Sequence, residues 1–327
     1  MNQNALISII IPNYNREHLI AETLDSVMAQ TYTNWECIIV DDHSTDNSWK
    51  IVAKFCEKDG RFIQVKRPDT ISKGACSCRN YGFQLSKGAY INWFDSDDIM
   101  VANKLEKQIL GAEKNNSDLV VCQTQFFEHN VLNLKHYWNK TFTPKYDPLT
   151  DFITFRLAWS TNAPLWKKSF LESKYLFNTS LTSSQDLEFH VRLLTYLPKF
   201  VVINKILVFN RVHAKRIGVL TNNNRQETRL NSRVLVFNSL KEKDLLNKEI
   251  KNYFISFFIN QLKYINNEEI SFYKSLILKI KFCTGNYKWY LNFYPRIMLY
   301  LFIFKIFEKR HLTFKYLIKQ VINEGRI

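Results

Sequence analysis

The run Gly88-Ala89-Tyr90-Ile91-Asn92-Trp93-Phe94-Asp95-Ser96-Asp97-Asp98 constrains this chain more than any other stretch. Tyr90 to Phe94 are β-prone and mostly apolar, as suits a buried strand, and the run stops at three carboxylates within four residues. Carboxylates crowded at the mouth of an apolar strand are costly unless a cation or several donors offset their charge. Two readings follow: a divalent metal site, or a solvated acidic loop capping the next helix. The tetrapeptide alone leaves both open.

Upstream, the same plan repeats. Leu6 to Ile11 is an apolar β-rich run ended by Pro12-Asn13-Tyr14-Asn15, and Ile20, Leu24, Val27 and Met28 then mark one helix face. Trp35 to Val40 is a second buried-strand run, Asp41 to Asp46 its loop, and Asn47 to Lys58 a second helix; Phe62 to Val65 is a short third strand. Lys73 to Gly82 opens a helix running to about Ser86, and Lys87-Gly88 turns into the acidic strand. Such alternation predicts an α/β fold, a mainly parallel sheet with helices on both faces. Ligands of these sheets bind beyond the carboxyl ends of the strands, where the three polar loops converge. Neither a Gly-x-Gly-x-x-Gly nor a P-loop is present, so a diphosphate would be held through a cation rather than through backbone amides.

Four stretches now fall into line: Ile9-Ile10-Ile11-Pro12-Asn13-Tyr14-Asn15, Ile39-Val40-Asp41-Asp42-His43-Ser44-Thr45-Asp46, Arg79-Asn80-Tyr81-Gly82 with Lys87-Gly88, and Phe94-Asp95-Ser96-Asp97-Asp98. In order and spacing they resemble the family 2 inverting glycosyltransferases with the GT-A nucleotide-diphospho-sugar transferase fold. The resemblance implies a nucleotide-sugar site: Tyr14 against the base in a pocket shaped by Pro12, Asp42 on the base edge, Arg79 near the nucleotide, and Asp95 on the ribose or donor sugar. Asn15 and Ser96 join this set from the same loops. Asp97 would be the main protein ligand of Mn²⁺ or Mg²⁺. From the residues alone, the lesser alternatives are a packed loop aromatic for Tyr14 and a helix cap for Asp42.

Ser183 to Leu194 looks like the family's second acidic motif, in which the Asp is the general base, so the resemblance gives that role to Asp186; Gln185 stands where Glu is usual. The alternatives are a helix cap beginning near Leu187 and a competing base, Glu188. Asn210-Arg211-Val212-His213 resembles the family's closing Tyr-Arg-x-His, with Asn210 replacing Tyr; His213 would complete the metal site or touch the diphosphate, or is a surface histidine. Trp159 or Trp166 could stack on a sugar ring, although core packing suits both better.

Charge divides the chain. Of the 327 residues, Arg216 to Ile327 hold 20 Lys and Arg against 8 Asp and Glu, while the remainder is nearly balanced. We therefore expect a catalytic domain over 1–215 and a basic, aromatic helical region over 216–327. Ile270 to Phe307 carry six cations and no acid, a composition suited to a helix in the headgroup layer of an anionic membrane or to packing on the catalytic domain. No nucleic-acid module accompanies it, so nucleic acid is not an expected partner. Six scattered cysteines and the lack of a basic-then-apolar leader give the expectation of a reduced, cytoplasmic protein, peripheral at the inner membrane face. The resulting expectation is transfer of a sugar from a nucleotide donor, a UDP-sugar, to a hydroxyl of a glycan or polyprenyl-diphosphate-linked acceptor in surface-polysaccharide synthesis. The alternative is a non-catalytic nucleotide-sugar-binding or membrane assembly protein of the same fold.

Overall fold

The computed structural model describes residues 5–128, 130–137, 142–181, 184–212 and 223–262, together with 279, 282 and 283. Its first half alternates as the apolar periodicity requires: β1 (Ile7–Asn13), α1 (Ile20–Met28), β2 (Trp35–Asp41), α2 (Ser48–Lys58), β3 (Phe62–Lys66), α3 (Ala75–Leu85) and β4 (Tyr90–Trp93). After the acidic turn come β5 (Ile99–Met100), α4 (Lys104–Asn115), β6 (Leu119–Glu128), β7 (Asn130–Tyr137), α5 (Pro148–Ile153), β8 (Leu165–Lys167), α6 (Lys168–Leu171), α7 (Gln185–Leu194) and β9 (Phe200–Val212). Helices α8 (Asn223–Glu242) and α9 (Lys248–Leu262) follow.

The strands form one sheet in the order β3-β2-β1-β4-β8-β6-β9-β5, with β7 also on β6. The strands β3, β2, β1 and β4 are parallel; β8 runs antiparallel to both β4 and β6, β9 parallel to β6, and β5 antiparallel to β9. The sheet is parallel, as expected, where the three polar loops converge, and mixed beyond β4. β1 and β2 are buried along their whole lengths, which is why both read as mostly apolar runs, broken only by Ser8 and Glu36 before their polar ends. The first strand reaches Asn13, two residues further than expected, so Pro12 lies in β1 opposite Val40 and is buried there.

Below the site the strand starts are knotted. Ser8 Oγ donates to the buried Glu36 carboxylate at 2.6 Å and accepts from the Gly88 amide at 2.8 Å, while the Lys87 amide reaches the same Glu36 oxygen. Above, α3 lies directly on β1 and β2. A Cβ at Gly82 would fall 2.4 Å from Ile10 Cγ2, inside a core where Ile10 has no exposed surface. Trp93 of β4 receives Phe177 and Phe189 edge-on at 5.1 and 5.3 Å, and this aromatic cluster fixes α7 against the sheet. Trp159 and Trp166 are both fully buried core residues.

The chain divides into two compact units, 1–236 and 237–327. The expected boundary after residue 215 falls outside the described residues. In the second unit, Phe237 of α8 packs on Phe254 and Phe258 of α9. Most of the basic segment 270–307 lies outside the described residues. Among the described residues, no helix is long and apolar enough to cross a membrane.

Candidate active site

Parallel β1, β2 and β4 deliver their carboxyl ends side by side, and hydrogen bonds lace the first two loops into one floor. Asn13 Nδ2 donates to Asp41 at 2.8 Å, the Asp42 amide to the Asn13 carbonyl at 2.8 Å, and the Asn15 amide to Ser44 Oγ at 3.0 Å. Asn15 takes a left-handed conformation, φ 50°, and its side-chain carbonyl accepts from the Thr45 amide. Asn15 thus binds loop to loop. Tyr14 projects 40% exposed, with Lys73 Nζ 4.2 Å from its ring centroid.

Asp42 is almost fully buried, and both its oxygens are engaged: Oδ1 accepts from Arg67 Nε at 2.6 Å, Oδ2 from the Gly74 amide at 2.9 Å. Arg67 also donates to the Pro68 and Ile71 carbonyls, so Asp42 anchors the whole crossing from β3 to α3. Gly74, at φ 125°, is the hinge that a side chain would strain.

The acidic turn is sorted by its partners. Asp98 is 1% exposed; its oxygens accept from the Arg211 amide at 2.7 Å and from Asn162 Nδ2. Asp95 accepts from Arg79 Nη2 at 2.7 Å, and its amide donates to Asn162 Oδ1. Asp97 faces Arg16 Nε at 3.4 Å, and its carbonyl accepts from Arg211. Behind the turn, buried Lys104 donates to Asn92, which in turn donates to the Asn162 and Pro164 carbonyls. Burial pulls the Lys104 ammonium down to about 8. Ser96, between the two outer acids, is buried.

Carboxylate oxygens of Asp95, Asp97 and Asp98 lie within 4.8 Å of one another. Asp98 is spent on protein donors, whereas the Asp95 and Asp97 side chains remain 32% and 15% exposed. Two partly exposed carboxylates beside a third fit a hard divalent cation such as Mg²⁺ or Mn²⁺, which takes oxygen ligands. His213 lies outside the described residues.

Asp186 approaches from α7. The helix begins at Gln185, so Asp186 is its second residue rather than its mouth, and its carboxylate accepts from the Leu187 amide at 2.9 Å. Glu188, the competing acid, is clamped by Arg192 at 2.6 and 3.0 Å. The Arg79 guanidinium joins the two acidic segments. Burial works against its charge, but Asp95, Cys76 and Asp186 outweigh that and raise its pKa. Burial likewise pushes the Cys76 thiol up to about 11, Arg79 opposing and Glu188 and Asp186 adding. Asp95 bonds Arg79 directly, and Asp186 adds only to the field that favours its charge. Sequence reasoning missed Arg16, Arg67 and Asn162, none of which sits in a recognisable acidic motif.

Residues 8–172 match the family model described as glycosyl transferase family 2. The chain belongs to that family. This family 2 chain is 38% identical over 127 residues to the UDP-Glc:alpha-D-GlcNAc-diphosphoundecaprenol beta-1,3-glucosyltransferase WfgD of Escherichia coli, covering 39% of this chain and 49% of WfgD. It is 32% identical over 198 residues to the putative colanic acid biosynthesis glycosyl transferase WcaA of Escherichia coli strain K12, covering 59% and 67%. The match to WfgD thus spans about half of that relative's length. Among solved structures, S. aureus TarS 1-349 in complex with UDP-GlcNAc superposes with a TM-score of 0.66 at 20% identity, over 85% of this chain and 83% of that one. The likeness to TarS is one of fold.

Proposed function

We propose that this chain is an inverting, metal-dependent glycosyltransferase. It moves one sugar from a nucleotide-diphosphate donor, a UDP-sugar, to a hydroxyl of a glycan or polyprenyl-diphosphate-linked acceptor in surface-polysaccharide synthesis. The observation that carries this reading is the acidic turn at the strand ends, where carboxylate oxygens of Asp95, Asp97 and Asp98 lie within 4.8 Å of one another and Arg79 bonds Asp95 at 2.7 Å. The names of WfgD, a UDP-Glc transferase acting on a diphosphoundecaprenol, and of TarS bound to UDP-GlcNAc support the substrate classes.

In this reading Tyr14 offers an aromatic face to the base, in a pocket shaped by Pro12, and Asp42 fixes the loop beside it. Asp97, with Asp95 beside it, would hold Mn²⁺ or Mg²⁺, and His213 is retained as a further ligand. The bound ion supplies neutralisation of charge on the departing diphosphate. Arg79 orients Asp95 by a charge-assisted bond. Asp186 takes the proton of the acceptor hydroxyl as that oxygen attacks the anomeric carbon opposite the leaving group, inverting the centre. No acid is needed at the leaving side, because a nucleoside diphosphate departs as an anion. The region 216–327 would bring the enzyme to the inner membrane surface.

The test is a panel of nucleotide sugars with Mn²⁺, read by donor binding and by transfer to lipid-linked acceptors. Donor binding with transfer that Asp186→Asn abolishes is the expected result. Binding without turnover on any acceptor favours the non-catalytic reading, and no binding of any donor overturns the proposal.

A further inference from the structure

Three ion pairs stand at the loops beyond the parallel strands, and they differ in tightness. Arg67 meets Asp42 at 2.6 Å and Arg79 meets Asp95 at 2.7 Å, both in the range of charge-assisted hydrogen bonds. Arg16 Nε stands 3.4 Å from Asp97 Oδ2, and Nε lacks hydrogen-bond geometry to any acceptor. It is the loose pair among these three.

The Arg16 backbone is nevertheless firmly placed. Its amide donates to Ser48 Oγ at 2.7 Å, and its carbonyl accepts from the Leu19 and Ile20 amides at 2.9 Å. Its Nη1 makes only long bonds, to the Tyr14 and Asn15 carbonyls at 3.4 and 3.3 Å. The side chain is therefore a cation on a fixed base, its head held only by long contacts, set against an acid whose side chain is partly exposed. Asp95 differs, being fastened to a guanidinium that is itself buried.

We propose that Arg16 is a stand-in cation that competes with the divalent ion for Asp97, so that metal loading must first displace the guanidinium. The inference rests on the metal reading of Asp97 given above. The competition sets the metal affinity of the protein alone, keeping it weak and leaving tight binding to the moment when donor phosphates add their own ligands. A pair at 3.4 Å without hydrogen-bond geometry gives up less on exchange than the charge-assisted pairs at 2.6 and 2.7 Å beside it.

The experiment is titration of the full chain with Mn²⁺ alone, followed by electron paramagnetic resonance, on wild type, Arg16→Gln, Arg16→Lys and Asp97→Asn. Arg16→Gln is expected to tighten Mn²⁺ binding by roughly 3- to 30-fold, and Arg16→Lys, which keeps the charge, by less. Unchanged or weakened binding in Arg16→Gln, with Arg16→Lys and wild type alike and Asp97→Asn impaired, overturns the inference and leaves the metal reading standing. If Asp97→Asn binds Mn²⁺ as wild type does, the metal reading fails, and this inference with it.

Discussion

Asn162, in the turn before β8, donates its side-chain amide to the buried Asp98 carboxylate while its carbonyl oxygen accepts from the Asp95 amide at 2.8 Å. One side chain thus spans both ends of the acidic turn. Asn162→Ala should cost about 2–4 kcal/mol, since it removes one donor from a buried carboxylate and the acceptor of a backbone amide together. Urea unfolding would measure the loss, and Mn²⁺ titration of the folded variant should show weakened binding as the turn loosens. Undiminished stability would show that Asp98 is held by other groups.

The two acids of α7 separate by their partners. Glu188 is clamped by Arg192, whereas Asp186 accepts from an amide of its own helix turn. Asp186→Asn should leave donor binding intact and lower transfer by about 10²- to 10⁴-fold, the range for a lost general base. Glu188→Gln should retain transfer within a few-fold and lose thermal stability instead. Assay of both variants at saturating donor distinguishes them; the opposite pattern would exchange their roles.

Arg67 and Asp42 form an ion pair with side-chain exposures of only 8% and 6%. Removing one member leaves a buried charge without compensation, at a cost of about 3–5 kcal/mol. Arg67→Met should therefore be strongly destabilising, and hydrogen exchange should accelerate first at the Gly74 amide that shares the Asp42 carboxylate. Protection there equal to wild type would argue that Asp42 does not depend on Arg67.

His190 is fully buried among Trp159, Trp166, Phe152 and Phe189. Burial, aided by the charge of Arg79, lowers its pKa from 6.5 to about 3. Between those values the unfolded chain takes up a proton that the folded chain refuses. The His190 contribution is complete above about pH 6.5 and declines on acidification to about pH 3, by up to about 1.4 kcal/mol per pH unit. His190→Phe should flatten that part of a stability-against-pH curve, which chemical denaturation across the window would reveal.

The parallel half of the sheet was readable because buried strands there are mostly apolar runs and the helices keep a clear period. The polar loops declared themselves by ending those runs. Strands β6 and β9 were not readable: Gln123, Thr124 and Gln125 are polar yet buried, and the pairing shifts register between Cys122 and Thr124, so neither alternation nor continuity survives. The acidic turn was legible as a cluster, but which of its acids faces inward depends on Asn162 and Arg211, residues 64 and 113 positions away. Arg16 and Arg67 escaped for the same reason. An arginine's partner across the fold leaves no local pattern.

Gly82 lies one turn beyond Arg79 on α3, where a single methyl group would strike Ile10. A vacancy in the side-chain layer therefore governs how low the helix rides, and with it how far the guanidinium can lean toward Asp95. Electrostatics at the rim of this site is set by steric clearance on its underside: enlarging that one position would tilt the lever and withdraw the charge without touching any ionisable group.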